Sequence, residues 1–182
     1  MNPINQIKTE ICLNEKNTEK LTELISKILG LLIKLHENFV SEYRPKIKDL
    51  TYSEKLNYFI GNTVPNLDMY KYIHRCIKYF KCEYVCHIHA VIYIDRLIKT
   101  RNNLFINENN YHRIYGIALL CACKYMEDDI FTNTYYAKII GITLKEINSL
   151  EKIFLTNINY NLYITPKLFN KYSNTFPLSI FI

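Results

Sequence analysis

The first regular pattern of apolar residues in the chain starts at Thr18 and predicts a one-sided helix. Apolar residues recur there at steps of three and four, which places them on one helix face: Leu21, Leu24, Ile25, Ile28, Leu32, Leu35 and Phe39. The helix should end before Pro45, because proline disfavours the helical conformation of the residue before it. Residues 1–17 are polar and rich in Asn, so we expect a disordered or frayed N-terminus.

A second, shorter helix is predicted by the turn chemistry that follows. The segment Thr51–Glu54 has the form of a capping box, and Gly61 can close the helix in a left-handed conformation. Residues 18–61 are therefore interpreted as N-terminal flanking helices. The first helix of the main domain is expected from about Leu67 to Lys81, with its apolar residues on one side.

The next two predicted helices are apolar in nearly every direction, which indicates burial on all sides. They run from Tyr84 to Ile98 and from Ile114 to Met126, and an Asn-rich loop joins them as a hairpin. The second helix carries small residues that let neighbouring helices approach closely: Gly116, Ala118, Cys121, Ala122 and Cys123. It is the predicted central helix of a bundle.

Two further helices complete the predicted bundle. One runs from Asn133 to Ile140 and is closed by Gly141, and the other begins at the capping box Thr143–Glu146 and ends near Asn157. The chain then reads as extended until Pro166 stops it. The predicted division after residues 1–17 is 18–61 for the flanking helices, 62–164 for the five-helix domain and 165–182 for a C-terminal tail.

Composition supports this all-α fold. The chain has four Gly and five Pro, too few for the many tight turns of an all-β domain, while 49% hydrophobic and 22% charged residues are typical of a folded protein. No uncharged stretch is long enough to cross a bilayer, and the N-terminus lacks the features of a signal peptide. These observations predict a soluble, intracellular protein whose six cysteines are reduced and mostly buried.

Two charged residues interrupt otherwise apolar helix surfaces. Lys124 is the only charged residue between Ile114 and Met126, and Glu151 lies in the middle of an apolar stripe on the last bundle helix: Leu144, Ile147, Phe154 and Ile158. Burying either charge unpaired would be costly. Either the two form an internal ion pair, or both lie at the rim of a docking surface and serve backbone groups of a second protein, with the pair also in contact.

Several stretches of the chain resemble the cyclin box. They are Val91–Leu97, Ala122–Tyr125 and Leu150–Glu151. A narrower resemblance, to the P-type (also called U-type) cyclins of the phosphate-regulation branch, rests on Phe59–Gly61 with Val64–Pro65, on Thr132–Lys138 with Gly141, and on Glu146–Glu151. The resemblance extends from about Phe59 to Tyr160 and implies a single cyclin box of five helices with the third in the centre.

The resemblance also implies a function: a regulatory subunit that binds and activates a cyclin-dependent protein kinase and is not itself an enzyme. In the family, the residues matching Lys124 and Glu151 hydrogen-bond main-chain groups near the kinase C-helix. Docking moves that helix inward, completes the Lys–Glu ion pair of the kinase active site and orders the activation segment. Asp128 and Asp129 match a place where P-type cyclins present an acidic residue to that segment, although a solvated helix end also accounts for them.

The family resemblance gives Asp95 and Gly141 structural roles. In many cyclins an arginine at the start of the first box helix pairs with the aspartate that matches Asp95, but no arginine lies between Leu67 and Tyr70. Arg75, two turns later, is a candidate substitute. A second cyclin box is absent, as in P-type members. The expected process is cell-cycle or nutrient-signalling control, and the expected location is the nucleus and/or the cytoplasm.

Some segments of the sequence are also compatible with other functions. The spacing of Cys82, Cys86, His87 and His89 would suit a zinc site, but the segment enters a buried helix and core packing is preferred, so neither metal nor cofactor is expected. No phosphate-binding loop or hydrolase motif is present. The alternative function is a cyclin-fold transcription or nucleic-acid-binding scaffold, with basic residues of Lys71–Lys81 as the contact; the net charge of +6 is spread along the chain and does not indicate it.

Overall fold

Seven α-helices and no strand make up the part of the chain that the computed structural model describes, residues 15–43, 58–61, 66–100 and 106–174. None of these helices is both long and apolar enough to cross a membrane. The helices in chain order are α1 (Glu15–Tyr43), α2 (Met69–Phe80), α3 (Tyr84–Thr100), α4 (Tyr111–Met126), α5 (Asn133–Ile140), α6 (Leu144–Asn157) and α7 (Pro166–Ser173).

Helix α4 lies at the centre of the bundle and packs against α2, α3, α5 and α6. Its side chains are buried from Tyr111 to Cys123 except at Arg113. The prediction of five box helices with the third in the centre is therefore confirmed, with α2 to α6 as those helices. The close packing depends on Gly116, because a Cβ there would lie 2.8 Å from the Tyr72 hydroxyl and 2.9 Å from Cγ1 of Ile140.

Local capping explains where the later helices begin and end. Thr143 accepts a hydrogen bond from the backbone of Glu146, and the Glu146 carboxylate accepts one from the backbone of Thr143, which is the predicted capping box of α6. Gly141 ends α5 with φ of 84°, a left-handed conformation that glycine adopts without strain, and its N–H donates to the carbonyl of Ala137. Both predictions are confirmed.

Helix α1 packs against α2 and begins at Glu15, three residues before the predicted start. Its most buried apolar positions follow a four-residue step: Leu21, Ile25, Leu29 and Ile33. Leu35 was expected on this face but is exposed. At about 3.6 residues per turn, two residues advance by roughly 200°, which places Leu35 nearly opposite Ile33 on the helix. The side chain of Phe39 and the predicted helix from Thr51 to residue 57 lie outside the described residues.

The short segment before the box packs onto the domain. Phe59 is fully buried and meets the ring of Phe154 on α6 edge to face, with 6.3 Å between the ring centroids. The backbone N–H of Gly61 donates to the carbonyl of Asn109 in the α3–α4 connection. His36 on α1 accepts a hydrogen bond from the backbone of Ile106 in the same connection, so two N-terminal elements are held to one loop.

Helix α7 corrects the interpretation of residues 165–182 as a C-terminal tail. Residues 161–165, predicted to be extended, have no regular secondary structure. Pro166 is the first residue of α7, and Thr165 caps this helix by accepting a hydrogen bond from the backbone of Leu168. A proline at the first helical position costs no hydrogen bond and has a suitable φ, so it starts this helix. α7 packs on α3, where the rings of Phe169 and His89 lie 5.7 Å apart.

Candidate functional site: a polar cluster at the ends of α4, α5 and α6

Lys124, in the last turn of α4, and Glu151, on α6, form a two-contact ion pair. The Lys124 ammonium donates to both carboxylate oxygens of Glu151, at 2.7 and 2.9 Å. The two side chains are 30% and 15% exposed, so the pair lies at the edge of the core with one side open to solvent. The internal ion pair expected from the sequence is therefore present, and it lies at the surface of the domain; its contact with a second protein stays a prediction.

Asn133, the first residue of α5, connects the pair to a third helix. Its side-chain amide donates to Oδ1 of Asn148 at 2.7 Å and to Oε2 of Glu151 at 3.1 Å. Asn148 lies one turn before Glu151 on α6. Sequence reasoning missed both asparagines, because their contact depends on how α5 and α6 pack; the only sequence signal is the i, i+3 spacing of Asn148 and Glu151.

The polar cluster retains hydrogen-bonding capacity. A lysine ammonium has three N–H donors and a carboxylate has about four acceptor positions. Within the described residues, the Lys124 ammonium donates twice to Glu151, and the Glu151 carboxylate receives donors from Lys124 and Asn133. Lys124 can therefore donate one further hydrogen bond to another molecule, and Glu151 can accept one, without breaking the contacts within the pair.

Exposed apolar side chains accompany the pair on the same elements. Tyr125 follows Lys124 on α4, Ile130 and Phe131 precede α5, and each is between 41% and 46% exposed. Leu144 is 46% exposed and lies two helical turns before Glu151, on the same face of α6. Apolar exposure around a polar centre is typical of a protein-binding surface.

Leu144 is also a correction to the predicted apolar stripe of α6. The buried residues on this helix and just beyond it are Ile147, Leu150, Phe154, Asn157 and Ile158. Leu144 is the first residue of the helix, and at about 3.6 residues per turn it projects in nearly the same direction as Glu151, at one border of the buried face. Glu151 therefore lies on the border of the buried face, between Leu150 and the solvent, rather than in its middle.

Asp128 and Asp129 are exposed on the segment that connects α4 to α5. They follow Glu127, whose backbone N–H caps α4 by donating to the carbonyl of Cys123. The two aspartates stand on the same connection as Phe131, beside the apolar part of the surface. Acidic residues just past the C-terminal end of a helix interact unfavourably with the helix dipole.

Asp95 is held by partners that the sequence did not indicate. Its Oδ2 accepts from the Tyr172 hydroxyl on α7 and from the Lys99 ammonium, both at 2.6 Å. Burial, together with the hydrogen bond to Asp95, raises the pKa of the Tyr172 hydroxyl. Arg75 does not substitute for the arginine of other cyclins, because its guanidinium donates to the carbonyl of Lys138 near the end of α5.

Basic residues of Lys71–Lys81 are partly engaged within the domain. Lys71 pairs with Asp68 at 2.9 Å, and Arg75 is held at the α5 carbonyl. Lys78 lies over the ring of Tyr79 at 5.7 Å. These contacts distribute the cations among local partners, and they give no specific support to a nucleic-acid-binding strip on α2.

Comparison with known proteins now assigns the family. The sequence model of the cyclin family matches residues 12–162. Cyclin-U4-3 of Arabidopsis thaliana is 36% identical over 160 residues, which cover 88% of this chain and 71% of that protein. Cyclin-P4-1 of Oryza sativa subsp. japonica is 28% identical over 158 residues, covering 85% and 74% of the two chains. The PHO85 cyclin-like protein psl1 of Schizosaccharomyces pombe is 31% identical over 157 residues, covering 84% and 65%.

The chain therefore belongs to the cyclin family, whose members are regulatory subunits of cyclin-dependent protein kinases. Its relatives include proteins named as U-type and as P-type cyclins, and the chain is a cyclin of this P/U type. The resemblance seen in the sequence is confirmed. The helices that carry it, α2 to α6, are those that bring Lys124, Asn133 and Glu151 together.

Proposed function

We propose that this cyclin binds and activates a cyclin-dependent protein kinase through the surface formed by Lys124, Glu151 and the exposed apolar residues beside them. The observation that supports this proposal most strongly is the partial exposure of the ion pair. Lys124 and Glu151 neutralise each other, and one side of the pair remains accessible to solvent. A pair with only a structural role could equally be covered by neighbouring side chains. Exposed aromatic and aliphatic groups at its edge support a partner surface.

The proposed contact uses the spare capacity of the pair. The remaining N–H of Lys124 would donate to a main-chain carbonyl of the kinase, and the free acceptor positions of Glu151 would receive a main-chain N–H. Backbone groups at the end of the kinase C-helix are suited to this, since helix ends leave N–H and C=O groups without partners. Asn133 keeps the Glu151 carboxylate in place while the contact forms.

Activation is proposed to be allosteric, with no chemical step on the cyclin. A kinase whose C-helix moves between two positions is shifted by any partner that binds the inward position more tightly. The inward position completes the Lys–Glu ion pair of the kinase active site. Asp128 and Asp129, exposed beside the docking surface, are proposed to contact basic residues of the activation segment.

A role in cell-cycle or nutrient-signalling control, in the nucleus and/or the cytoplasm, is proposed together with this activity.

Affinity purification from the native cell tests the proposed kinase binding. The wild-type chain is expected to recover a cyclin-dependent kinase with kinase activity, and the Lys124→Ala/Glu151→Ala variant to lose both. The matched control is Lys152→Ala, which removes an exposed charge next to Glu151 on α6. Equal recovery by the double variant, or salt-sensitive DNA binding without a kinase, would contradict it.

A further inference from the structure

Three cysteine thiols from different parts of the chain converge at the end of α4. Cys82 lies between α2 and α3, Cys86 lies in the first turn of α3, and Cys123 lies near the end of α4. All three are buried and reduced, and their sulfur atoms lie within 4.8 Å of one another. Two thiolates on a tetrahedral zinc ion with Zn–S bonds of about 2.3 Å are roughly 3.8 Å apart, so the cluster has nearly the dimensions of such a site.

His87 places a nitrogen donor beside one of the three thiols, that of Cys82, while its ring nitrogens lie outside the group of sulfur atoms that are all within 4.8 Å of one another. Its Nε2 lies 3.7 Å from the sulfur of Cys82, close to the roughly 3.6 Å that separates a nitrogen and a sulfur ligand of one zinc ion. Its Nδ1 is 2.8 Å from the Tyr115 hydroxyl. In metal sites the second ring nitrogen of a histidine ligand is commonly held in this way, and the hydrogen bond orients the ring.

The sequence placed this site only in part. Cys82, Cys86, His87 and His89 suggested zinc by their spacing, and core packing was preferred. In the structure His89 is directed elsewhere, with Nδ1 at 2.9 Å from the carbonyl of Val85. The third thiol is Cys123, which is 37 positions beyond Cys86 and reaches it only through the packing of α3 on α4.

The surroundings of the cluster suit a cation-binding site with access to solvent. A surface cavity of about 560 Å³ reaches the cluster at Cys82, and its other lining residues include Lys78, Lys81, Glu83 and Glu127. The cavity provides an entry path for an ion. Three thiolates and a neutral imidazole around Zn²⁺ carry one net negative charge, and the two lysines on the cavity wall offset it.

The carboxylate of Glu127 is an alternative fourth ligand for the ion. Its Oε1 lies 3.2 Å from the sulfur of Cys86, which donates to it, and it also accepts from the backbone of Glu83 at 2.9 Å. A carboxylate held by a backbone N–H is committed to capping the start of α3. Among the described residues, Nε2 of His87 contacts only the sulfur of Cys82, so the fully buried ring is available as the fourth ligand if it shifts towards Cys86 and Cys123 when the ion binds.

We propose that Cys82, Cys86 and Cys123 bind one zinc ion as thiolates, with His87 as the fourth ligand. Each thiol releases its proton to solvent as its Zn–S bond forms, and no group is oxidised or reduced. A closed S₃N tetrahedron is a structural type of zinc site. The ion would join three elements: the α2–α3 connection, α3, and the end of α4 at Cys123, the residue before Lys124. This proposal does not depend on kinase binding.

Metal content tests the thiolate set directly. The full chain, produced with zinc and purified under reducing, oxygen-free conditions, should retain one zinc ion per chain by mass spectrometry of the elements. Cys123→Ala should abolish retention. Cys121→Ala is the matched control, since it removes a buried thiol of the same helix outside the cluster and should leave zinc content unchanged. Zinc content of the wild type no higher than that of Cys123→Ala overturns the proposal.

Cobalt substitution tests the ligand identity. Titrating the chelator-treated protein with Co²⁺ should produce thiolate-to-cobalt charge-transfer absorption and the strong visible bands of a tetrahedral site. His87→Gln should weaken Co²⁺ affinity by at least about tenfold, and Tyr115→Phe by about tenfold. Unchanged affinity in His87→Gln, with loss in Glu127→Gln, would overturn the assignment of His87.

A measurement on the wild-type chain tests the site even if the variants do not fold. Adding a zinc chelator to the purified wild-type chain should lower its melting temperature, and adding zinc back should restore it, because binding to the folded state alone stabilises it. A melting temperature that does not respond to chelator or to zinc overturns the site without reference to any substitution.

Discussion

Lys124 and Glu151 are 27 positions apart in the sequence, yet the ammonium of one contacts both carboxylate oxygens of the other, at 2.7 and 2.9 Å. Each helix supplies one charge to the edge of a buried face, and the two edges meet. The ion pair neutralises both charges and leaves part of each side chain exposed to solvent. This relationship joins the stability of the box to the surface proposed for the kinase.

Removing either member of the pair should destabilise the isolated chain moderately. A double-mutant cycle with Lys124→Ala and Glu151→Ala should give a coupling free energy of about 1 kcal/mol, because the pair is only partly shielded from solvent. Urea unfolding followed by circular dichroism measures it. A coupling indistinguishable from zero would mean that the contact contributes no stability.

Gly116→Ala should destabilise the domain by about 1–3 kcal/mol, since the added methyl group overlaps the Tyr72 hydroxyl and the Ile140 side chain. Gly30→Ala is the control, and we expect it to change the stability in the opposite direction. That glycine is within helix α1 with nothing within 4 Å of the added carbon, so the substitution should stabilise the chain by about 0.5–1 kcal/mol. Chemical unfolding of the two variants should show shifts of opposite sign.

Tyr172→Phe should release α7 from the box. The substitution removes the hydroxyl that donates to Asp95 and should cost about 1 kcal/mol. Hydrogen exchange of the backbone amides in α7 should accelerate while α4 stays protected. Lys99→Ala removes the other, more exposed partner of Asp95 and should have a smaller effect; equal exchange rates in Tyr172→Phe and wild type would exclude a clamping role.

Acidification should weaken the fold through His112. Burial, with the adjacent charge of Arg113, lowers the pKa of His112 to about 4 from the ordinary 6.5. The unfolded chain therefore binds a proton that the folded chain does not, and the stabilisation is full above about pH 6.5 and declines as pH falls towards 4. Its Nδ1 is buried without a hydrogen-bond partner among the described residues, which further disfavours the protonated ring.

The His112→Gln variant isolates this contribution. Unfolding free energies of wild type and variant, measured from pH 7 to pH 4.5, should converge or cross as the pH falls, because only the wild type loses the contribution of this ring. A constant difference between the two proteins across the range would show that His112 does not titrate on unfolding.

The features predicted correctly from the sequence are those that local chemistry decides. The Thr143–Glu146 capping box and the left-handed Gly141 depend on contacts within four residues, and both occur as expected. The burial of α4 was also predictable, because apolar residues on every side leave a helix no solvent-facing surface. The same apolar pattern singled out Lys124 and Glu151 as misplaced charges, and the family resemblance then suggested the partner that they serve.

The features that were missed depend on packing between distant segments. Asn133 reaches Glu151 only because α5 packs on α6, and Cys123 reaches Cys86 only because α3 packs on α4. Asp95 is bound by Tyr172 from a helix that was predicted to be a tail. A sequence pattern contains the periodicity of each helix but not the register between two of them.

The most direct test of the docking surface exchanges its two charges. The Lys124→Glu/Glu151→Lys variant retains an internal ion pair, since the Asn133 amide can turn its oxygen towards the new lysine, but it reverses the polarity presented to a partner. Its melting temperature reports the internal pair, and its dissociation constant for the kinase recovered with the wild-type chain reports docking.

If the pair serves kinase backbone groups, the charge-exchanged variant should fold with a melting temperature near that of wild type and bind the kinase at least about tenfold more weakly, the loss expected when docked charges face groups of the wrong polarity. Binding as tight as that of the wild type would contradict the account, because it would mean that the pair acts only within the cyclin.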